Sequence, residues 1–215
     1  IKTAIFKDGI RITASQFSRT ELTIPFELSF GTRITVRIWE DEVDALSASE
    51  EYNNWFSEVL GMECRLVFMD HQARRTVNQK YSLNAETVSF ADGFPYTVIS
   101  LASLNDLNSR LDDKIHMDRF RPNIVIEGGE AFVEDSIDEF AISSVKFKAV
   151  KPCSRCKVIT IDQVTATPGD EPLSELSKYR EKDNKVYFGY NALCLNTGVV
   201  RKGDLIEITV GRKLS

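Results

Sequence analysis

Between Arg33 and Ile38 the chain alternates without a break: Arg33, Thr35 and Arg37 are interleaved with Ile34, Val36 and Ile38. That period of two is the pattern of a strand buried on one face; no helix face can be drawn through it. Arg33 and Arg37 would share the wet side as solvated charges. Short runs of similar character recur along the chain, at Ile1–Phe6 and Ile10–Thr13 around an Asp8-Gly9 turn, then at Glu21–Phe26, Glu63–Met69, Phe94–Ser100, Asn123–Glu127, Val145–Val150, Val186–Asn191 and Ile206–Val210. In the first part of the chain only Ser47 to Leu60 reads as a clear helix. Ser47 and Glu50 fit a capping box, Tyr52, Trp55, Phe56, Val59 and Leu60 form one apolar face, and Gly61 follows as a terminator. The stripe reads as a packing face, not a ligand face. Shorter helices are predicted from Ser103 through Leu111 and from Glu171-Pro172-Leu173 through Tyr179-Arg180, where a helix C-terminal charge is a plainer reading of Arg180 than a reach to an anionic ligand. The fold class is therefore mainly β, a barrel-like core of short twisted strands with a few helices outside it.

A chain of 215 residues has room for one large domain or two small ones. Residues 71–86 are polar and lack sustained periodicity. They set the expected boundary, with a β-rich domain over 1–80 and a second domain over 81–215. The net charge of −5 argues against a nucleic-acid surface. No apolar run approaches the roughly 20 residues of a membrane span. Four cysteines without a signal peptide fit a reducing compartment, and a cytoplasmic location is expected.

The chemistry concentrates at Lys151-Pro152-Cys153-Ser154-Arg155-Cys156, which leads into an apparent strand, Val158-Ile159-Thr160-Ile161-Asp162. A Cys-x-x-Cys pair can be half a zinc site, a redox disulfide or the holder of a soft metal. Zinc needs four ligands, and Cys64, Cys194, His71 and His116 stand at no such spacing. A thioredoxin-like pair would open a helix, whereas this one runs into β-branched residues. Arg155 between the thiols favours the thiolate, the metal-binding form. Cys64 and Cys194 read as core residues, and His71 and His116 as surface ones. A second cluster is Arg119-Phe120-Arg121-Pro122-Asn123. The residue before proline is pushed toward extended backbone, which would turn Arg119 and Arg121 to one side. Paired guanidiniums suit an oxyanion; from the spacing alone a surface strand carrying salt bridges is the plainer account. Asp92-Gly93 reads as a turn.

Cys153-Ser154-Arg155-Cys156 with Thr160 and Asp162 resembles the cysteine signature of MOSC domains, in the group of YcbX-type proteins and the mitochondrial amidoxime-reducing component. Phe90–Pro95, the Ala102–Asn108 stretch, Arg121-Pro122-Asn123, the Pro172…Arg180 run and Val186–Asn191 are similar to the same group. The resemblance implies a molybdenum–pyranopterin cofactor with Cys156 as the metal ligand. It places Arg121, Asn123, Ser154 and Arg155 in cofactor binding and Asp92 in proton handling or orientation. It does not carry a role to Arg119, where the family does not always keep an arginine. It implies reduction of small N-hydroxylated substrates, with electrons from a separate flavoprotein, iron–sulfur or heme protein. The alternative within the family is a sulfur-carrier or cofactor-handling module working through a Cys156 persulfide. Ile137 stands where many relatives have tryptophan. A Lys-Ser pair and an arginine that contact the cofactor near the family's N-terminus find no match here. The natural N-terminus is therefore expected to precede Ile1, and the 215-residue chain alone is expected to hold little metal.

Overall fold

The computed structural model describes residues 1–14, 21–27 and 31–212. Strands outweigh helices among them, in line with the period-two patterns. They cluster into two compact units, one of residues 1–76 and 87–92, the other of residues 77–86 and 93 onward.

In the first unit, β1 (Lys2–Phe6), β2 (Gly9–Thr13) and β3 (Glu21–Ile24) form an antiparallel meander. A second three-stranded sheet holds β4 (Arg33–Ile38), β5 (Asp41–Ser47) and, after the helix α1 (Glu50–Leu60), the two-residue β6 (Val67–Phe68). Ile12, Leu22, Ile24, Ala48 and Trp55 make the core, with Tyr52, Phe56 and Val59 of the α1 stripe packed on it. Two expectations are corrected. Ser47 ends β5 and does not cap α1; Ser49 holds the N-cap position, without a side-chain cap bond. The strand expected over Glu63–Met69 shrinks to β6, because side chains of α1 take the backbone amides that would have joined a ladder. The Cys64 N–H donates to Ser57 Oγ (3.1 Å) and the Leu66 N–H to Asn53 Oδ1 (2.9 Å). Cys64 is only half-buried. Arg33 and Arg37 stay exposed, Arg33 paired with Asp70 and Arg37 with Glu40.

The second unit is built on a seven-stranded sheet curled into a half-barrel. Its elements are β7 (Tyr96–Ser100), α2 (Leu101–Asn108), β8 (Ile124–Ile126), α3 (Val133–Ser136), β9 (Ile137–Ile142), β10 (Val145–Arg155), α4 (Leu173–Arg180), β11 (Glu181–Lys182), β12 (Lys185–Cys194) and β13 (Ile206–Gly211). The order is β13-β9-β10-β12-β7-β8, with β11 paired to β12; only β7 and β8 run parallel. Neighbours on β7 serve different cores. Val98 joins Ile126, Ile137, Phe140, Val145, Phe147 and Ala192, while Ile99 joins Leu104, Leu107, Phe120, Ile159, Leu176 and Phe188. Both faces of β7 are thus covered, one by each core. Ser100, not Ser103, caps α2, its Oγ accepting from the Ser103 N–H at 3.0 Å. The strand expected over Val158–Asp162 is a 3-10 turn, Lys157–Thr160, closed by Thr160 Oγ donating to the Lys157 carbonyl (2.9 Å).

Glu86 anchors the loop of residues 82–86. Burial pushes its carboxyl up, but donors from Ser82 Oγ and the amides of Leu83 and Asn84 outweigh it and hold the group at about 2. Its folded value lies below the ordinary 4.5, so its contribution is present above that value and is lost as pH falls through about 2. Glu86→Gln should cost about 1 to 2 kcal/mol near neutrality after allowance for screening, and progressively less in acid. Urea unfolding of both proteins as pH is lowered checks this; a gap that widens in acid contradicts the assignment.

Candidate functional site

The cysteine pair lies where β10 stops being a regular strand. Against β12 its register slips between Ala149 and Lys151 and again between Pro152 and Ser154. The second slip falls at Cys153, opposite Phe188 and Gly189. Beyond it Ser154 pairs with Tyr187 and Arg155 with Val186. Cys156 follows the last strand residue in extended conformation (φ −114°, ψ 179°), and its carbonyl accepts from the Ile159 N–H. Cys156 and Ser154 are exposed and Cys153 is half-buried; no disulfide joins the four cysteines.

Arg155 is the most constrained charge of the group. Its Nε donates to the Phe188 carbonyl (2.8 Å) and Nη1 to the Phe120 carbonyl (3.1 Å), with the guanidinium 5.4 Å from the Phe120 ring centre. Nη2 is fully shielded and has no partner among the described residues. Burial pulls the guanidinium below arginine's usual value, and charge on Cys153 and Cys156 acts in the opposite direction. Arginine keeps its proton in such a setting, so a buried positive charge sits beside both thiols with one donor group unspent.

The Arg119–Asn123 stretch does not adopt the extended form its proline predicts. Met117–Phe120 is a 3-10 turn, and Arg121 caps it in the left-handed region (φ 51°, ψ 47°), its N–H bonded to the Asp118 carbonyl. Arg119 and Arg121 therefore do not share an extended face. Arg119 is spent on Asp162, Nη2 to Oδ2 at 3.0 Å. Asp162 is held below the usual carboxylate range by bonds from Thr165 and Val164 and by the Arg119 charge, and it braces the loop after Cys156. For Arg119 the salt-bridge reading was the right one. Arg121 is exposed, and its guanidinium makes no ion pair or hydrogen bond among the described residues. A non-glycine residue in that backbone region carries strain that is often found at ligand sites. Asn123 uses its carboxamide oxygen to accept from the Thr97 N–H (2.9 Å), and its NH₂ makes no hydrogen bond among the described residues.

Asp92 belongs to the first unit, the other candidates to the second. Its carboxylate is exposed, and its carbonyl accepts from Arg75 Nη2 (3.0 Å). Arg75, buried and bonded also to Asp41 and to the carbonyls of Ser89 and Ala91, had no sequence signal. Arg180, in the last turn of α4 as expected, pairs with Asp135 (2.7 Å) and donates Nε to the Tyr187 carbonyl (3.1 Å). Gly189 is the residue sequence reasoning missed at the site. A lone glycine inside the strand Val186–Asn191 was the available signal.

Among the described residues no three His, Cys, Asp or Glu side chains gather as a cation site. One exposed thiol beside a buried guanidinium suits a metal whose other ligands arrive with an anionic organic group. No helix among the described residues is long and apolar enough to cross a membrane.

A family model described as MOSC domain matches residues 85–207. Mitochondrial amidoxime-reducing component 1 of Homo sapiens is 34% identical over 94% of this chain and 64% of its own length. The Mus musculus protein of that name is 36% identical over 78% of this chain and 53% of its own. Molybdenum cofactor sulfurase of Homo sapiens is 29% identical over 71% of this chain and 19% of its own. The chain thus spans less than two thirds of the length of these relatives.

Proposed function

The chain belongs to the MOSC domain family, and we propose that it is a molybdenum cofactor-dependent oxidoreductase that reduces small N-hydroxylated compounds with electrons from a separate redox protein. The observation that carries this reading is the Arg155 guanidinium, buried beside Cys153 and Cys156 with Nη2 unspent. The names of the amidoxime-reducing relatives supply the substrate class.

When bound, a molybdenum–pyranopterin supplies two-electron oxygen-atom chemistry. Cys156 would hold the metal through its exposed sulfur, a soft ligand. Arg155 would neutralise the oxyanion charge of cofactor or substrate from a fixed position, so that little reorganisation is needed when charge develops. Arg121 would add a second guanidinium from the surface, and Ser154 and the Asn123 NH₂ group neutral donors. Turning N–OH into N–H with release of water consumes two electrons and two protons. The electrons must come from a flavoprotein, iron–sulfur or heme partner.

Expressed at full natural length in a host that makes the cofactor, the protein should carry near-stoichiometric molybdenum and pterin. It should also reduce benzamidoxime with a chemical electron donor. Persulfide on Cys156 with neither metal nor pterin would instead identify a sulfur carrier.

A further inference from the structure

Gly189 lies in β12 beside the second slip of the β10–β12 register, in the left-handed region at φ 78°. A Cβ at this position would stand 2.6 Å from Ile99 Cγ1, 2.7 Å from the Val98 carbonyl oxygen and 3.3 Å from Arg155 Nη2. The first neighbour is a side chain and can turn. The second is backbone of β7 and cannot, so a larger residue must push β12 away from β7. Phe188, one residue back, is the carbonyl that takes Arg155 Nε. Any shift of β12 therefore moves the acceptor that orients the guanidinium, while an added methyl presses on the one nitrogen that has no partner. The Phe120 carbonyl holds the other side of the group from a different segment and would not follow the shift.

We propose that Gly189 is a positioning residue for Arg155: its missing side chain lets β12 close on β7, so that the Phe188 carbonyl fixes the guanidinium charge beside the cysteine pair, where it attracts an oxyanion. This rests on the reading of Arg155 as an oxyanion-binding group. Gly189 itself touches no ligand; its effect passes through the Phe188 carbonyl and the close strand approach.

The test is spectroscopic and needs no bound cofactor. In the ¹⁵N-labelled chain the Arg155 Nε–Hε resonance, assigned by its absence from Arg155→Lys, should be slow to exchange and should shift on titration with inorganic phosphate. In Gly189→Ala it should move and lose protection, and phosphate affinity should fall about tenfold, the scale of one lost charge-assisted contact. Amide resonances away from β7 and β12 should stay in place, which a general loss of structure would not allow. If Gly189→Ala does not fold, the pair Gly189→Ala/Ile99→Ala, which removes the nearest obstacle, is read the same way. A folded variant with an unmoved Arg155 signal and unchanged phosphate affinity overturns the proposal. A wild-type Arg155 signal indifferent to phosphate overturns the oxyanion reading instead, since the Nε–Hε signal still reports whether Gly189 sets the group's position.

Discussion

Cys156→Ser is expected to strip the protein of molybdenum, lowering metal per chain at least ~10-fold, whereas Cys153→Ser should keep most of it. The two thiols differ in setting more than in chemistry. Cys153 lies within β10 at the slip opposite Phe188 and Gly189 and is half-buried. Cys156 lies past the last paired residue, exposed, at the entrance to the 3-10 turn. A metal carried on a bulky organic group can reach the second without parting strands. Serine is nearly isosteric but offers a hard oxygen that stays protonated near neutral pH, so the substitution removes the soft anionic ligand and leaves the shape. Folding should be unaffected, because no described hydrogen bond runs from the Cys156 side chain and its backbone bond to the Ile159 N–H survives. Metal analysis of both variants at full natural length is the measurement. Loss of metal from Cys153→Ser with retention in Cys156→Ser would reverse the assignment.

The period-two alternation of β4 identified a strand, and the apolar stretches of β7 and β12 were legible as strands. What stayed hidden depended on partners far along the chain. β5 carries Asp41, Glu42 and Asp44 and buries only Val43 and Ala45 fully, so it did not read as a strand; β4 supplies its ladder. β9 has Asp138 and Glu139, which Lys148 and Arg212 neutralise from β10 and from beyond β13. The β-branched run after Cys156 became a 3-10 turn because Ile159 and Thr160 are drawn inward and the chain closes on Lys157. At the site, the cysteine spacing and the adjacent arginine were legible locally. The seat of Arg155 was not, since both its carbonyl acceptors lie more than thirty residues away, at Phe120 and Phe188. The pre-proline rule gave the wrong backbone for Arg121 because the turn ending at Phe120 had already committed the chain to a left-handed cap.

Arg155 and Arg121 should respond differently to removal, and the contrast separates scaffold from function. Arg155→Ala takes two charged donors from the Phe188 and Phe120 carbonyls and empties the space beside the Phe120 ring. Hydrogen bonds to charged groups contribute about 1.5–3 kcal/mol each. A buried guanidinium is also expensive to desolvate, so part of that gain is already spent. A net loss of about 3 kcal/mol follows, a fall in Tm of roughly 10 °C. Arg155→Met refills the space, removes the desolvated charge and should recover much of that stability. Arg121→Ala should leave Tm unchanged, because the side chain is exposed and makes no described bond, and release of left-handed strain is minor with alanine. All three variants should nonetheless lose pterin, since each deletes a positive charge proposed to bind the cofactor; Arg121→Lys should recover part of it, lacking only the planar fork. Thermal unfolding and pterin content, measured side by side at full natural length, decide the matter. Full pterin in Arg155→Met would make Arg155 a structural tie between β10, β12 and the Phe120 turn, and full pterin in Arg121→Ala would leave its strained backbone without a functional explanation.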